Sequence, residues 1–368
     1  MSRKPTADLR EAVAGLYGAV VAPETWPAAL HAFARATNSV GCLFYPKDQA
    51  QALVHLPISP DIREFIAAFV NEGWYLQDVR ASRGWPQLAT RGGEAILTDD
   101  DIASPEERRS SPYFQDFHRA WTLTEWAAIG FRANGGQWCM PLLRSKRQGS
   151  ISGEQKREFL AAAPLLSRVI ELATLFDARR AAEHLAMLHL SGGVAALLDW
   201  RGIVSGLTPS AEALFGVDLY IHERSIAARH RGSDVALQKL IAAALANPEM
   251  TGTPDSVAIA RAGRRPLVAR AIPLAGAFAA AFGQARVLLL FTDLDKSPPP
   301  CGETLRAAFG LTPAEARLAA EFASGDALDD AANRLGIAKE TARNQLKAIF
   351  GKTNTHRQGE LVALLSRL

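Results

Sequence analysis

Residues 336–365 read GIAKETARNQLKAIFGKTNTHRQGELVALL. Lys339, Arg343 and Lys347 stand at four-residue spacing beside apolar Ala342, Leu346, Ile349 and Phe350, the period of a helix with one basic and one apolar side. Between Lys339 and Arg357 five lysines or arginines face one acid, Glu340, a local surplus of four in a chain whose whole formal charge is only +3. A basic row alone is the pattern of any solvated helix face. Its neighbours give it meaning.

Upstream, Thr312-Pro313-Ala314-Glu315 has the spacing of a capping box with proline at the first helical position, so a helix is expected there, ending at Gly325. Asp326 is expected to cap a second helix, ALDDAANRL, that stops at Gly336. The third helix holds Lys339 to Phe350 with Gly351 as its stop. Thr355 to Gln358 is a second box opening a fourth helix, with Leu361, Leu364, Leu365 and Leu368 on one side. Two short helices joined by a glycine turn form a helix-turn-helix, whose second helix lies in the major groove. Ala342, Leu346, Ile349 and Phe350 then face the bundle, leaving Thr341, Arg343, Asn344 and Lys347 for a phosphate and base surface.

Residues 305–368 resemble the LuxR-type helix-turn-helix family. The matching positions are Leu311, Thr312, Glu315, Gly325, Ala332, Leu335, Gly336, Ile337, Thr341, Arg343, Leu346, Ile349, Lys352 and Arg357. Ala338, Ala342 and Gln345 depart from the family's usual Ser or Thr, Val and His. The resemblance implies a homodimer on a two-fold-related operator. Lys339, Arg343, Lys347 and Lys352 would contact phosphates or guanine edges, with Thr341 and Asn344 alongside. It also implies a fourth helix that contributes leucines to dimerisation. Double-stranded operator DNA, a second copy and RNA polymerase are the partners this calls for. A protein that has lost DNA binding and titrates another regulator is the alternative that Ala338 and Gln345 leave open.

The preceding 300 residues read as a multidomain α+β arrangement. Residues 1–163 alternate helical and strand patterns, with a hairpin turning at Asn134-Gly135-Gly136. Residues 80–114, punctuated by glycine and proline, are expected to form a long loop with one or two short helices. Pro164 starts or kinks a connecting helix, 164–192, with Leu165, Leu166, Val169, Leu172, Ala173 and Phe176 on one face. Residues 193–296 follow the order two strands, helices, three strands, with turns at Arg201-Gly202 and Ala262-Gly263 and a connecting loop at 275–284. A proline-rich linker, 297–304, closes that unit. The layout resembles LuxR-type regulators with a GAF- or PAS-like first domain and a second, PAS-like domain.

Trp74, Tyr75, Asp78 and Trp85 follow an order similar to the pocket of acyl-homoserine-lactone sensors, although Val79 stands where that family has proline. With Trp126 they are the candidate small-molecule site, within an aromatic set that includes Tyr113, Phe114, Trp121 and Trp138. Asp78 or Arg80 is the candidate polar anchor. The three cysteines, Cys42, Cys139 and Cys301, are far apart and lack metal-ligand spacing, and no phosphate-cradling glycine motif, zinc-protease motif or nucleophile elbow occurs. No metal, cofactor or enzymatic activity is expected. The first twenty residues, broken by Pro5, Asp8 and Glu11, suit an amphipathic helix rather than a signal peptide, and a cytoplasmic protein away from the membrane is the expectation.

Overall fold

Residues 125–144 alternate two apolar sets. Trp138, Met140 and Leu142 belong to one core and Cys139 and Leu143 to another, so both faces of this hairpin need cover. The computed structural model describes residues 6–47, 49–216, 218–246, 255–274, 285–295, 302–323 and 327–365, and it is mixed α/β. Gly325, Asp326, Cys301, Leu368, the 275–284 loop and most of the proline-rich linker lie outside the described residues.

The first unit runs α1 (Ala7–Val21), α2 (Trp26–Ala36), β1 (Gly41–Cys42), β2 (Tyr45–Pro46), α3 (Arg63–Asn71) and α4 (Val79–Thr90). It continues through β3 (Ile96–Thr98), α5 (Asp99–Ile102), α6 (Pro105–Ser110), β4 (Glu125–Ala133), β5 (Gly136–Arg144), α7 (Gly153–Leu160) and α8 (Ala163–Leu190). The antiparallel sheet has the order β1-β5-β4-β3, with β2 also on β5. Asn134 (φ 50°) and Gly135 (φ 73°) make the two-residue turn between β4 and β5, which pair from Ala133–Gly136 to Glu125–Arg144. One face is covered by α1, α2 and α8 through Leu16, Phe33, Leu166 and Ile170, the other by α3, α4 and the 113–118 turn through Phe65, Trp85 and Phe117.

The stretch expected to be a long loop with one or two short helices holds the 12-residue helix α4, then β3, α5 and α6. Pro86 is accommodated inside α4. Gly84 is helical, and a Cβ there would meet Leu97 and Ile102 at 3.5 and 3.6 Å, ordinary contact distances, so it marks neither a turn nor a tight approach. Pro164 opens α8 as expected. The buried row of α8 is Ala163, Leu166, Val169, Ile170, Ala173 and Asp177, while Leu172 and Phe176, expected on that face, are exposed. The run Gly153–Leu190 is long and apolar enough by composition to cross a membrane, but here Leu166, Val169 and Ile170 lie in the core formed with β4 and α1.

The second unit comprises β6 (Val194–Leu198), β7 (Val204–Leu207), α9 (Pro209–Glu212), β8 (Leu219–His222), β9 (Ser225–Ala228), α10 (Arg231–Ala246), β10 (Ser256–Arg261), β11 (Arg264–Pro273) and β12 (Val287–Asp293). Its main sheet is ordered β10-β11-β12-β6-β7. The side chain of Asp199 holds the β6–β7 turn by accepting from Arg201 N and Ile203 N, both at 2.8 Å. This unit meets the first through Arg286, whose Nη2 donates to His55 O (2.7 Å), and through the His55 ring over Trp200.

The last unit has α11 (Gly302–Phe309), α12 (Pro313–Ala323), α13 (Leu328–Leu335), α14 (Lys339–Thr353) and α15 (Gln358–Leu365). Helix α11 adds to the four expected from sequence, and its Leu305 is buried. Helix α14 passes through Gly351 and stops at Asn354 (φ 52°), where the Thr355 N–H returns to Phe350 O. Helix α15 begins at Gln358 rather than His356, with Thr355 buried against the Thr353 hydroxyl. Leu361 and Leu365 are buried in this unit's core, so they are not the exposed dimer leucines expected.

Candidate functional sites

The first site lies under the second face of the first sheet. Asp78 caps α4, its Oδ1 accepting from Ala81 N (2.9 Å) and from Tyr113 Oη (2.7 Å). Two residues on, the buried Arg80 guanidinium donates through Nε and Nη2 to Asp99 Oδ1 and Oδ2 (2.8 and 3.0 Å), and Nη1 lies 3.0 Å from His118 Nδ1. It sits 5.4 to 5.8 Å from the rings of Trp126, Phe114 and Tyr113. Breaking such a buried pair by removing one partner costs about 3–5 kcal/mol, because the remaining charge is stranded.

These groups share one electrostatic environment. Burial pushes the Asp78 carboxyl above the usual aspartate range against the pull of its two hydrogen bonds. Burial, with Arg80 adjacent, holds His118 well below the usual histidine range, so the ring is neutral and accepts from the guanidinium. Burial and the Asp78 charge raise Tyr113, which therefore stays a hydrogen-bond donor.

Asp78, Arg80, Trp85, Tyr113, His118 and Trp126 line a cavity of about 60 Å³, otherwise walled by apolar side chains such as Leu53, Phe65 and Leu97. An apolar cavity of about 150 Å³ takes up benzene, so a ring-sized ligand has to displace side chains here. A cleft of about 860 Å³ lies alongside, and Tyr45, Asp78, Ala81 and Trp85 line both spaces. The tip of the second unit's first hairpin, Trp200 and Arg201, forms part of that cleft.

Of the five residues expected to bind a ligand, Asp78, Trp85 and Trp126 meet at the cavity. Tyr75 lines only the outer cleft, its hydroxyl accepting from Gln51 Nε2 (2.7 Å). Trp74 stacks on Phe117 at 5.1 Å and bonds Glu72, away from the cavity lining. Trp138 belongs to the opposite face of the sheet. Sequence reading missed Asp99 and His118. Asp99 is hidden in the acidic run Asp99-Asp100-Asp101, and only its position after a buried strand distinguishes it.

The second site is the α13–α14 pair. Gly336 (φ 65°) ends α13, and Ile337 N–H closes on Ala332 O (3.0 Å). Ala338 is the N-cap of α14 and supplies no side-chain bond. The expected capping box of α12 is present: Thr312 N donates to Glu315 Oε2 (2.7 Å) and Glu315 N to Thr312 Oγ1 (3.3 Å). Ala342 and Ile349 are fully buried and Leu346 and Phe350 pack on the same core.

Lys339, Thr341, Arg343, Asn344, Lys347 and Lys352 are all exposed. Lys339 pairs with Asp329, Arg343 with Glu340 at 3.4 Å, and Lys352 with Glu315 at 2.6 Å. Lys347 has no carboxylate within ion-pair distance among the described residues. Exposed pairs contribute about 0–1 kcal/mol, so a phosphate can displace Asp329 or Glu340. Lys352 differs, because it ties α14 to the α12 cap and holds the Glu315 carboxyl below the usual range.

No family model matches the chain, and no curated protein matches it. Among solved structures, the chain is similar to one titled the phage VqmA-DPO complex, at 15% identity over 50% of this chain and 88% of that one, with a TM-score of 0.23. It is similar to another, the E. coli DhaR(N)-DhaL complex, at 13% identity over 77% and 87%, with a TM-score of 0.22. At these TM-scores neither likeness carries an argument about function.

Proposed function

We propose that the chain is a LuxR-type transcriptional regulator that binds operator DNA through α13 and α14 and is controlled by a small molecule in its first unit. The observation that carries this reading is the exposed row Thr341, Arg343, Asn344 and Lys347 on a helix whose other side is locked into a core. A left-handed glycine turn after a second short helix sets its direction. The first unit is read as the GAF- or PAS-like sensor. The second, whose two strands, helices and three strands close as β10-β11-β12-β6-β7, is read as PAS-like.

Arg343 and Lys347 are assigned to phosphates or guanine edges, and Thr341 and Asn344 to base edges. Asp78, Trp85 and Trp126 hold the signal, which enters through the wall shared by cavity and cleft. Occupancy moves Trp85 and the segment carrying Leu53 and His55. Arg286 and Trp200 meet that segment from the second unit, and α8 joins the two units. No reaction is assigned to the chain.

The test is anisotropy of a labelled duplex with the full-length protein across a salt series. Arg343→Ala and Lys347→Ala should each weaken binding at least tenfold and lower the slope of log affinity against log salt by about one. A second reading rests on the uncapped Ala338: a protein that captures another regulator without touching DNA. Binding unchanged by Arg343→Glu would favour it and end the first.

A further inference from the structure

Helix α8 presents a second row that its own fold leaves uncovered. Leu172, Leu175, Phe176, Arg179, Glu183, Ala186, Met187 and Leu190 are all exposed, Leu175 at 64%, Met187 at 68% and Leu190 at 86%. At 100° per residue they occupy an arc of about 120° that adjoins the arc of the buried row, Met187 standing at the azimuth of Val169. Their spacing along the chain is 3, 1, 3, 4, 3, 1, 3, which reads the same in both directions. The centre of this palindrome falls at Ala181, whose side chain points to the opposite side of the helix and leaves the middle of the row open for a two-fold axis.

We infer that this row is the seam for a second copy of the chain, packed antiparallel about that axis. Leu172 then meets Leu190, Leu175 meets Met187, Phe176 meets Ala186, and Arg179 meets Glu183 of the other copy. Every apolar side chain finds an apolar partner and each charge its opposite. In a parallel pairing Arg179 would face Arg179 and Glu183 would face Glu183, a like-charge contact at both levels. Arg179 Nε and Glu183 Oε1 already lie 2.8 Å apart within one helix, so closure gathers two such pairs into an alternating cluster without stranding a charge. Val21, 65% exposed at the end of α1, is tied to α8 by Arg180, whose Nη2 donates to its carbonyl (2.7 Å). The self-complementary spacing is what an isologous interface requires.

The seam is about 27 Å long. One helix pair of that length falls short of the roughly 800 Å² per partner of a standard interface, so the dimer is weak and concentration-dependent. It supplies the pairing that a two-fold DNA site needs, yet stands on α8 alone and does not depend on DNA binding.

Cysteine pairs test it in the full-length protein carrying Cys301→Ser, without DNA. Under mild oxidation Leu175→Cys mixed with Met187→Cys, or both in one chain, should give disulfide dimers, and either single variant alone should not. Twelve helical residues separate the two positions, about 18 Å, so no bridge forms within a chain. Arg179→Glu should weaken self-association by fivefold or more in sedimentation, and Arg179→Glu with Glu183→Arg should restore it. Self-crosslinking of each single variant would overturn the antiparallel arrangement. A monomer at about 100 micromolar with no crosslink in any variant would overturn the seam, whatever the protein does with DNA.

Discussion

Arg80 has the two roles a sequence separates poorly. Its spacing two residues after Asp78 marks it as a candidate anchor, yet its guanidinium is committed to Asp99 and His118 and framed by three rings. His118 gives this network a pH signature. The unfolded histidine takes a proton near pH 6.5, whereas burial keeps the folded ring neutral well below that. The unfolded state then binds more protons, and folding stability falls by up to about 1.4 kcal/mol per pH unit as pH drops below 6.5. Asp78 has the opposite sign: its folded carboxyl takes a proton first, which adds stability as pH falls through its raised value. The melting temperature of wild type should therefore fall faster than that of His118→Gln between pH 7 and 5, and parallel curves would contradict the assignment. Asp78 and Trp85 stand in an order similar to a sensor pocket and Trp126 in the aromatic set, and the structure brings these three to one cavity. Asp99 was not legible, because an acidic run on paper looks solvated, and only the fold shows that one of its three carboxylates turns inward.

Capping spacing made the C-terminal helices readable. Thr312 and Glu315 do form the box, Gly336 does take the left-handed stop, and Ala338 does leave the start of α14 without a side-chain acceptor. Ala338→Ser should accordingly raise the unfolding free energy of this unit by about 1 kcal/mol, as read by denaturant melts, because its hydroxyl can accept from a free N–H of the first turn. An unchanged or lower midpoint would mean that the turn cannot present the hydroxyl. Where propensity misleads, packing prevails. Gly84 and Pro86 break the pattern of α4 on paper, but Arg80, Trp85 and Leu88 are buried from it against the sheet. Gly351 looks like a stop, while Asn354 provides it. The leucines of α15 look available for dimerisation because their pattern does not say which side the core lies on, and Leu361 and Leu365 are inside it.

On the scale of the whole chain, the apolar cavity with its polar rim communicates with the second unit through α8 and the contacts of His55 with Arg286 and Trp200. The β4–β5 hairpin, the outer strands of the second unit and four of the C-terminal helices were legible from hydrophobic period and turns, whereas β3, the β8–β9 hairpin and α11 were not. The contacts between units were not, since Arg286 and His55 lie 231 positions apart and neither carries a local signal. A signal can shift DNA affinity only by binding one arrangement of these units more tightly than another. The central claim, that α14 reads DNA, is tested most directly by selecting random duplexes with the full-length protein at two salt concentrations, beside Arg343→Ala and Lys347→Ala. The account predicts enrichment of an inverted repeat that is lost in both variants and weakened by salt. Recovery of no sequence above background at either salt, or an enriched sequence that both variants retain, would contradict it.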